Sequence, residues 1–283
     1  MTSSFLVGPA QFYISPDRPV TNNNCTLQFF SRRFNSIGFG SSKFTRNSSL
    51  KVAMADSDSN SSGADYAEIM VIRHGETAWN ADGRIQGHLD VELNDAGRKQ
   101  AAAVANRLSK DPKISLVYSS DLKRAYETAQ IIAARCGGLN VVTDPNLRER
   151  HLGDLQGLVI REAAKLSPEA YRAFNSHRTC QDIPGGGESL DQLYDRCTAA
   201  LERIGGMHKG ERVVVVTHGG VIRSLYQRAC PNGRSIGKVT NTSINTFHLY
   251  DEDKWTIKSW GDVSHMKETD YLESGFGGDG TSG

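Results

Sequence analysis

Between residues 66 and 262 the apolar positions alternate between two periods. Four short, nearly unbroken apolar runs, Glu68–Arg73, Ile114–Tyr118, Asn140–Thr143 and Arg212–Thr217, have the length and β-branched content of buried strands. Between them apolar residues recur every three or four positions. That spacing predicts helices from Asn94 or Asp95 to about Ser109, over Leu122–Arg135, over Glu188–Ile204 and over Val221–Ala229. Lys110-Asp111-Pro112 stops the first helix and Cys136-Gly137-Gly138 caps the second. Gly205-Gly206 is expected to end the third, whose Leu190, Leu193, Cys197, Leu201 and Ile204 share one face. Two further strands, near Ser243–Tyr250 and Lys254–Trp260, read as an antiparallel pair across a turn at Asp251–Asp253. Strands alternating with helices imply an α/β fold with a mostly parallel sheet covered on both faces.

Composition narrows the class. The 283 residues are 38% hydrophobic and 23% charged, which is enough to build a core without staples. Cysteines 25, 136, 180, 197 and 230 form no CxxC pair, so neither a disulfide framework nor a structural zinc site is indicated. No apolar run reaches the ~20 residues of a membrane span. The net charge of +1 conceals a division, because residues 1–53 hold six basic side chains and one acid. That leaves 27 basic and 31 acidic residues in 54–283, a net charge of −4, and no electrostatic footprint for nucleic acid.

The basic segment 1–53 is rich in Ser and Asn and gathers no apolar h-region, so it reads as an organelle transit peptide rather than a secretory signal. A chloroplast fits better than a mitochondrion, since no Arg-bearing amphipathic helix is evident. The bland alternative is an upstream leader, with Met54 starting a shorter cytoplasmic form. Residues 54–65 read as a disordered linker, 66–273 as the folded domain and 274–283 as a disordered tail. Gly275-x-Gly277-x-x-Gly280 lies in that tail with no strand before it or helix after it, so the dinucleotide fingerprint is discounted.

In parallel sheets ligands bind outside the carboxyl ends of the strands. There the first strand runs into Arg73-His74-Gly75-Glu76-Thr77 and the fourth into Thr217-His218-Gly219-Gly220. Each presents a histidine followed by glycine, which is expected to allow a tight turn and close approach of a ligand. One strand-end histidine is ordinarily structural. Two in matching settings, one beside an arginine, favour a site if the strands are neighbours.

The segment RHGETAWN (Arg73–Asn80) resembles the signature of the histidine phosphatase, or phosphoglycerate mutase-like, superfamily. The resemblance continues through RIQGHLDVELNDAGRKQA, YSSDLKRAYETA, LRERHLGDLQG and VVTHGGVIRSL, covering about residues 66–260 in the family's order. It implies a three-layer α/β/α sandwich with a mixed sheet. It also implies that His74 is a nucleophile forming a phosphohistidine, and that Arg73, Arg124 and His218, with Gly219 beside it, surround the phosphate. Asn80 would assist, Gln86 and Gly87 would lie in the rim loop, and Glu149 would donate a proton to the leaving oxygen. Glu76 is the rival carboxylate. Without the resemblance Arg124 reads as a solvated helix charge and Glu149 as part of a charged surface loop.

The chemistry suits these residue types. A neutral imidazole is a nucleophile near pH 7, and arginine forks stabilise charge on phosphoryl oxygens as Mg²⁺ does in kinases, so no metal or cofactor is called for. An alkoxide leaves poorly unless an acid protonates it, and that acid can then activate water. Such an acid needs a pKa raised by burial or by neighbouring anions. Water as acceptor makes a phosphatase; a second hydroxyl makes a mutase. The segment after Glu149 is short, Pro184-Gly185-Gly186-Gly187-Glu188-Ser189 resembles the PGGES loop of the phosphatase branch, and Gly219-Gly220 replaces the Gly-Asn of mutases. The expectation is a metal-independent phosphomonoesterase acting on phosphoserine, phosphoglycerate or a sugar phosphate. A bisphosphoglycerate-dependent mutase and a non-catalytic phospho-ligand binder are the alternatives. Arg150, Arg161 and Arg178 are candidates for reading a substrate carboxylate, and His151 for orienting its loop. His88, His177, His208, His248 and His265 read as ordinary polar residues. The antiparallel edge strand offers a surface on which two copies could pair as a homodimer.

Overall fold

Six strands, β1 (Tyr66–Arg73), β2 (Leu116–Ser119), β3 (Val141–Thr143), β4 (Arg212–Thr217), β5 (Ile244–Tyr250) and β6 (Trp255–Asp262), form one sheet in the computed structural model. Their order is β3-β2-β4-β1-β5-β6. The first four run parallel, β5 is antiparallel to β1, and β6 is antiparallel to β5. The structure describes residues 65–266 apart from 112, 234, 235, 237 and 252. The leader, the tail and all but the last linker residue lie outside the described residues.

The helices are α1 (Ala78–Ala81), α2 (Asp95–Leu108), α3 (Lys123–Arg135), α4 (Ile160–Leu166), α5 (Pro168–Phe174), α6 (Leu190–Met207) and α7 (Gly219–Ala229). Successive strand residues face opposite sides of a sheet, and here both sides are covered. Ile69, Val71, Val213 and Val215 pack with Leu193, Leu201 and Ile204 of α6 and Val221 and Leu225 of α7. Met70, Ile72, Val214 and Val216 pack with Val104 and Leu108 of α2 and Ala129 and Ile132 of α3. Each such side chain contributes about 1.5–3 kcal/mol on burial, so both faces of β1 and β4 must be apolar and the runs are unbroken. This is the three-layer α/β/α arrangement expected.

Three local expectations need correction. Helix α6 runs through Gly205-Gly206 to Met207. A Cβ at Gly205 would lie 2.8 Å from Leu249 Cδ2, so this glycine lets the helix approach β5 and does not end it. Helix α7 begins at Gly219, two residues early, with His218 as its N-cap. Short helices α1, α4 and α5 are additional. The last two bury only Ala163 and Ala170, in a satellite core with Ile85, Leu152, Leu155 and Ile183, so no periodic apolar face announces them.

Candidate active site

The two strand-end histidines meet. Strands β1 and β4 are neighbours with Arg73 opposite Thr217, and His74 N donates to Thr217 O at 2.9 Å. The His74 and His218 rings stand 5.1 Å apart, centroid to centroid, and both are buried. Strand β2, on the other side of β4, is followed directly by Ser120, whose Oγ lies 2.9 Å from His218 Nε2. The site therefore sits at the carboxyl ends of three adjacent parallel strands.

His74 Nδ1 lies 2.7 Å from Gly75 O. A carbonyl only accepts, so Nδ1 carries the proton and Nε2 keeps its lone pair. Burial, then the charges of Arg124 and Arg73, hold the His74 pKa well below the usual 6.5, against the Gly75 carbonyl, so the ring is neutral at pH 7. Burial, Arg124, His74 and Arg73 lower the His218 pKa in the same way. Ser120 Oγ accepts from Leu122 N at 3.3 Å and still has its proton and a second lone pair for His218 Nε2. His218 Nδ1 is buried and has no hydrogen-bond partner among the described residues.

Both guanidiniums are buried. Arg73 Nη1 donates to Val239 O at 2.7 Å. Arg124 donates from Nη1 to Leu89 O at 3.0 Å and from Nη2 to Gly87 O at 2.8 Å, so it grips the rim loop and is no solvated helix charge. Burial pushes Arg124 down to about 10, and it remains cationic at neutral pH. Thr77 Oγ stands 3.1 Å from both Asn80 Oδ1 and Gln86 Oε1, which joins Asn80 and Gln86 at the same rim. Gly87 has φ +52° and abuts Gln156.

Glu149 is buried among main-chain donors. Gly220 N, in the first turn of α7, lies 3.1 and 3.2 Å from its two carboxylate oxygens, and Arg150 N lies 2.9 Å from Oε1. Its rival Glu76 is instead bound by Asn94 Nδ2 at 2.8 Å, beside the cap of α2. His151 accepts from Gly153 N at 3.2 Å within its own loop. Arg150 is buried, donates from Nε to Glu188 O at 2.9 Å and lies over the Phe174 ring, whereas Arg161 and Arg178 are exposed. Chemically, a neutral imidazole under the charge of two buried guanidiniums can attack an anionic group that the guanidiniums hold, and a carboxyl group in the same site can shuttle a proton.

Two readings of the sequence are revised by this geometry. The glycines after the histidines, Gly75, Gly219 and Gly220, have no positive φ. A Cβ on Gly75 would come 2.5 Å from Gly97 O, so that glycine admits the backbone of α2 and not a turn. His88 is no ordinary polar residue, since its Nε2 lies 2.6 Å from Glu149 O. Arg196 carries no signal in the sequence: it pairs with Glu188 (Nε–Oε1 2.6 Å) and donates to the carbonyls of Asn146, Arg148 and Glu149. Ser120 is not singled out by the sequence, because the predicted strand stops at Tyr118; the strand-end rule that finds both histidines reaches it once β2 is seen to run to Ser119.

Comparison with known proteins agrees with the geometry. The model of the histidine phosphatase superfamily (branch 1) matches residues 69–263. The chain is 71% identical over 230 residues to phosphoglycerate mutase-like protein 4 of Arabidopsis thaliana, covering 81% of this chain and 100% of that one. It is 53% identical over 216 residues to a metal-independent phosphoserine phosphatase of Arabidopsis thaliana, covering 76% and 90%. Among solved structures, YhfR of Bacillus stearothermophilus aligns with a TM-score of 0.65 at 31% identity, over 71% of this chain and all of the other.

Proposed function

The chain belongs to the histidine phosphatase superfamily, branch 1, and from that membership we propose that it is a metal-independent phosphomonoesterase acting on a small acidic phosphorylated metabolite. The observation that carries the reading is the state of His74, neutral under the charges of Arg124 and Arg73 and, with its proton on Nδ1, carrying its lone pair on Nε2. In this mechanism Nε2 bonds to phosphorus as the ester P–O bond breaks. The equatorial oxygens are held by Arg73 and Arg124, by the unpartnered Nδ1 of His218 in its protonated tautomer, and by Asn80 and the Gln86–Gly87 rim. Glu149 gives its proton to the departing oxygen. It then takes one from the water that cleaves the P–N bond, releasing phosphate. Arg150, the buried cation next to Glu149, is assigned to a carboxylate on the substrate. A relative named as a metal-independent phosphoserine phosphatase supports hydrolysis over mutation.

The test is phosphate release by the purified chain in EDTA, from phosphoserine, 3-phosphoglycerate and p-nitrophenyl phosphate, beside His74→Ala. Turnover that survives chelation and is lost in the variant is expected. Conversion of 3-phosphoglycerate to its 2-isomer on adding bisphosphoglycerate, with no phosphate released, would replace this reading with the mutase.

A further inference from the structure

Glu149 is gripped from behind as well as in front. Its main-chain oxygen receives two side-chain donors, His88 Nε2 at 2.6 Å and Arg196 Nη2 at 2.8 Å. A carbonyl cannot donate, so His88 presents N–H at Nε2. The other end of the same peptide unit is Arg150 N, which donates to Glu149 Oε1 at 2.9 Å. A peptide unit is planar and turns as one body. Whatever fixes the Glu149 carbonyl therefore also aims the Arg150 N–H, and through it the Glu149 carboxyl group. The two donors come from different places. Arg196 reaches from α6, where Glu188 holds its guanidinium at two points. His88 comes from the rim loop, whose neighbouring carbonyls, Gly87 O and Leu89 O, are bound by Arg124. Gln156 Oε1 ties His88 N, at 2.7 Å, to the loop that follows Glu149.

We propose that His88 is a positioning residue for the proton transfer at Glu149: by clamping the Glu149 carbonyl it sets the peptide unit that aims the carboxyl group, and it links that aim to the rim loop held by Arg124. Arg196 is the second jaw of the clamp. The inference rests on Glu149 being the proton donor.

The experiment compares kcat/KM for an alkyl phosphate, whose leaving oxygen needs a proton, with that for 2,4-dinitrophenyl phosphate, whose leaving group does not. Glu149→Gln is measured alongside His88→Ala and His88→Gln. In His88→Ala the alkyl ester is expected to lose about tenfold, part of the full effect of a general acid, while the dinitrophenyl ester stays within about twofold. His88→Gln, whose side chain supplies an N–H donor, is expected to recover much of the loss. An equal fall with both esters would reduce His88 to a structural residue and overturn the proposal, as would no fall with either. If Glu149→Gln itself does not distinguish the esters, the assignment of the proton donor has failed instead. If it does while His88→Ala does not, only the clamp has failed.

Discussion

His74 and His218 are held neutral in the folded site by burial and by Arg124 and Arg73, whereas an unfolded chain protonates both near pH 6.5. Below that pH the unfolded state binds more protons than the native one. Stability is therefore highest above it and falls as pH drops toward the lowered folded values. Each histidine adds up to about 1.4 kcal/mol per pH unit to that slope. Urea unfolding at pH 7, 6 and 5 is expected to show a shallower decline in His218→Asn than in the parent chain; identical slopes would contradict the assignment. His74 and His218 are legible from their matching places at strand ends, whereas Arg124 is legible only through the family resemblance, since a lone helix guanidinium reads as a solvated charge. The surroundings of Glu149 are not legible. Its partners are the amides of Gly220 and Arg150 and the clamp on its own carbonyl, and a backbone N–H leaves no trace in a residue's identity.

At the level of elements, strong periodicity is reliable and glycine is ambiguous. Helices α2, α3 and α6 follow their apolar faces, and Ser189 opens α6 with a capping box to Gln192. The pair Gly205-Gly206 reads as a stop because glycine so often ends helices. Only the position of Leu249 distinguishes a close-packing glycine from a terminating one. The two glycines should accordingly differ. Gly206 is exposed and helical, and a Cβ added there would meet nothing within 4 Å. Gly206→Ala is expected to stabilise the chain by about 0.5–1 kcal/mol, read as a raised urea midpoint at unchanged m-value. Gly205→Ala gains the same propensity but must displace Leu249, so its benefit is expected to be smaller or negative. Helices α4 and α5 are hard to read for a related reason. Seven residues with one buried alanine carry too little pattern to stand out from a loop.

The molecule as a whole brings together residues from 73 to 220 at one end of a sheet. A dianion held there should stabilise all of it, since a ligand that binds only the native state contributes RT ln(1 + [L]/Kd), about 2.7 kcal/mol at a hundredfold excess over Kd. Inorganic phosphate is expected to raise the melting temperature of the parent chain and to lose most of that effect in Arg124→Ala. Equal shifts in both would argue that phosphate binds elsewhere. The strand order has another consequence, for biosynthesis. Strand β4 is the last of the four parallel strands to leave the ribosome, yet it lies between β1 and β2. Until Arg212–Thr217 emerges, neither of those strands has its central neighbour, and the edges of β1, with Ile69–Ile72, and of β2, with Leu116–Tyr118, that β4 will cover stay open. The step that closes this gap is the one that brings His218 to His74, so the chain gains its reactive centre and covers these two edges together.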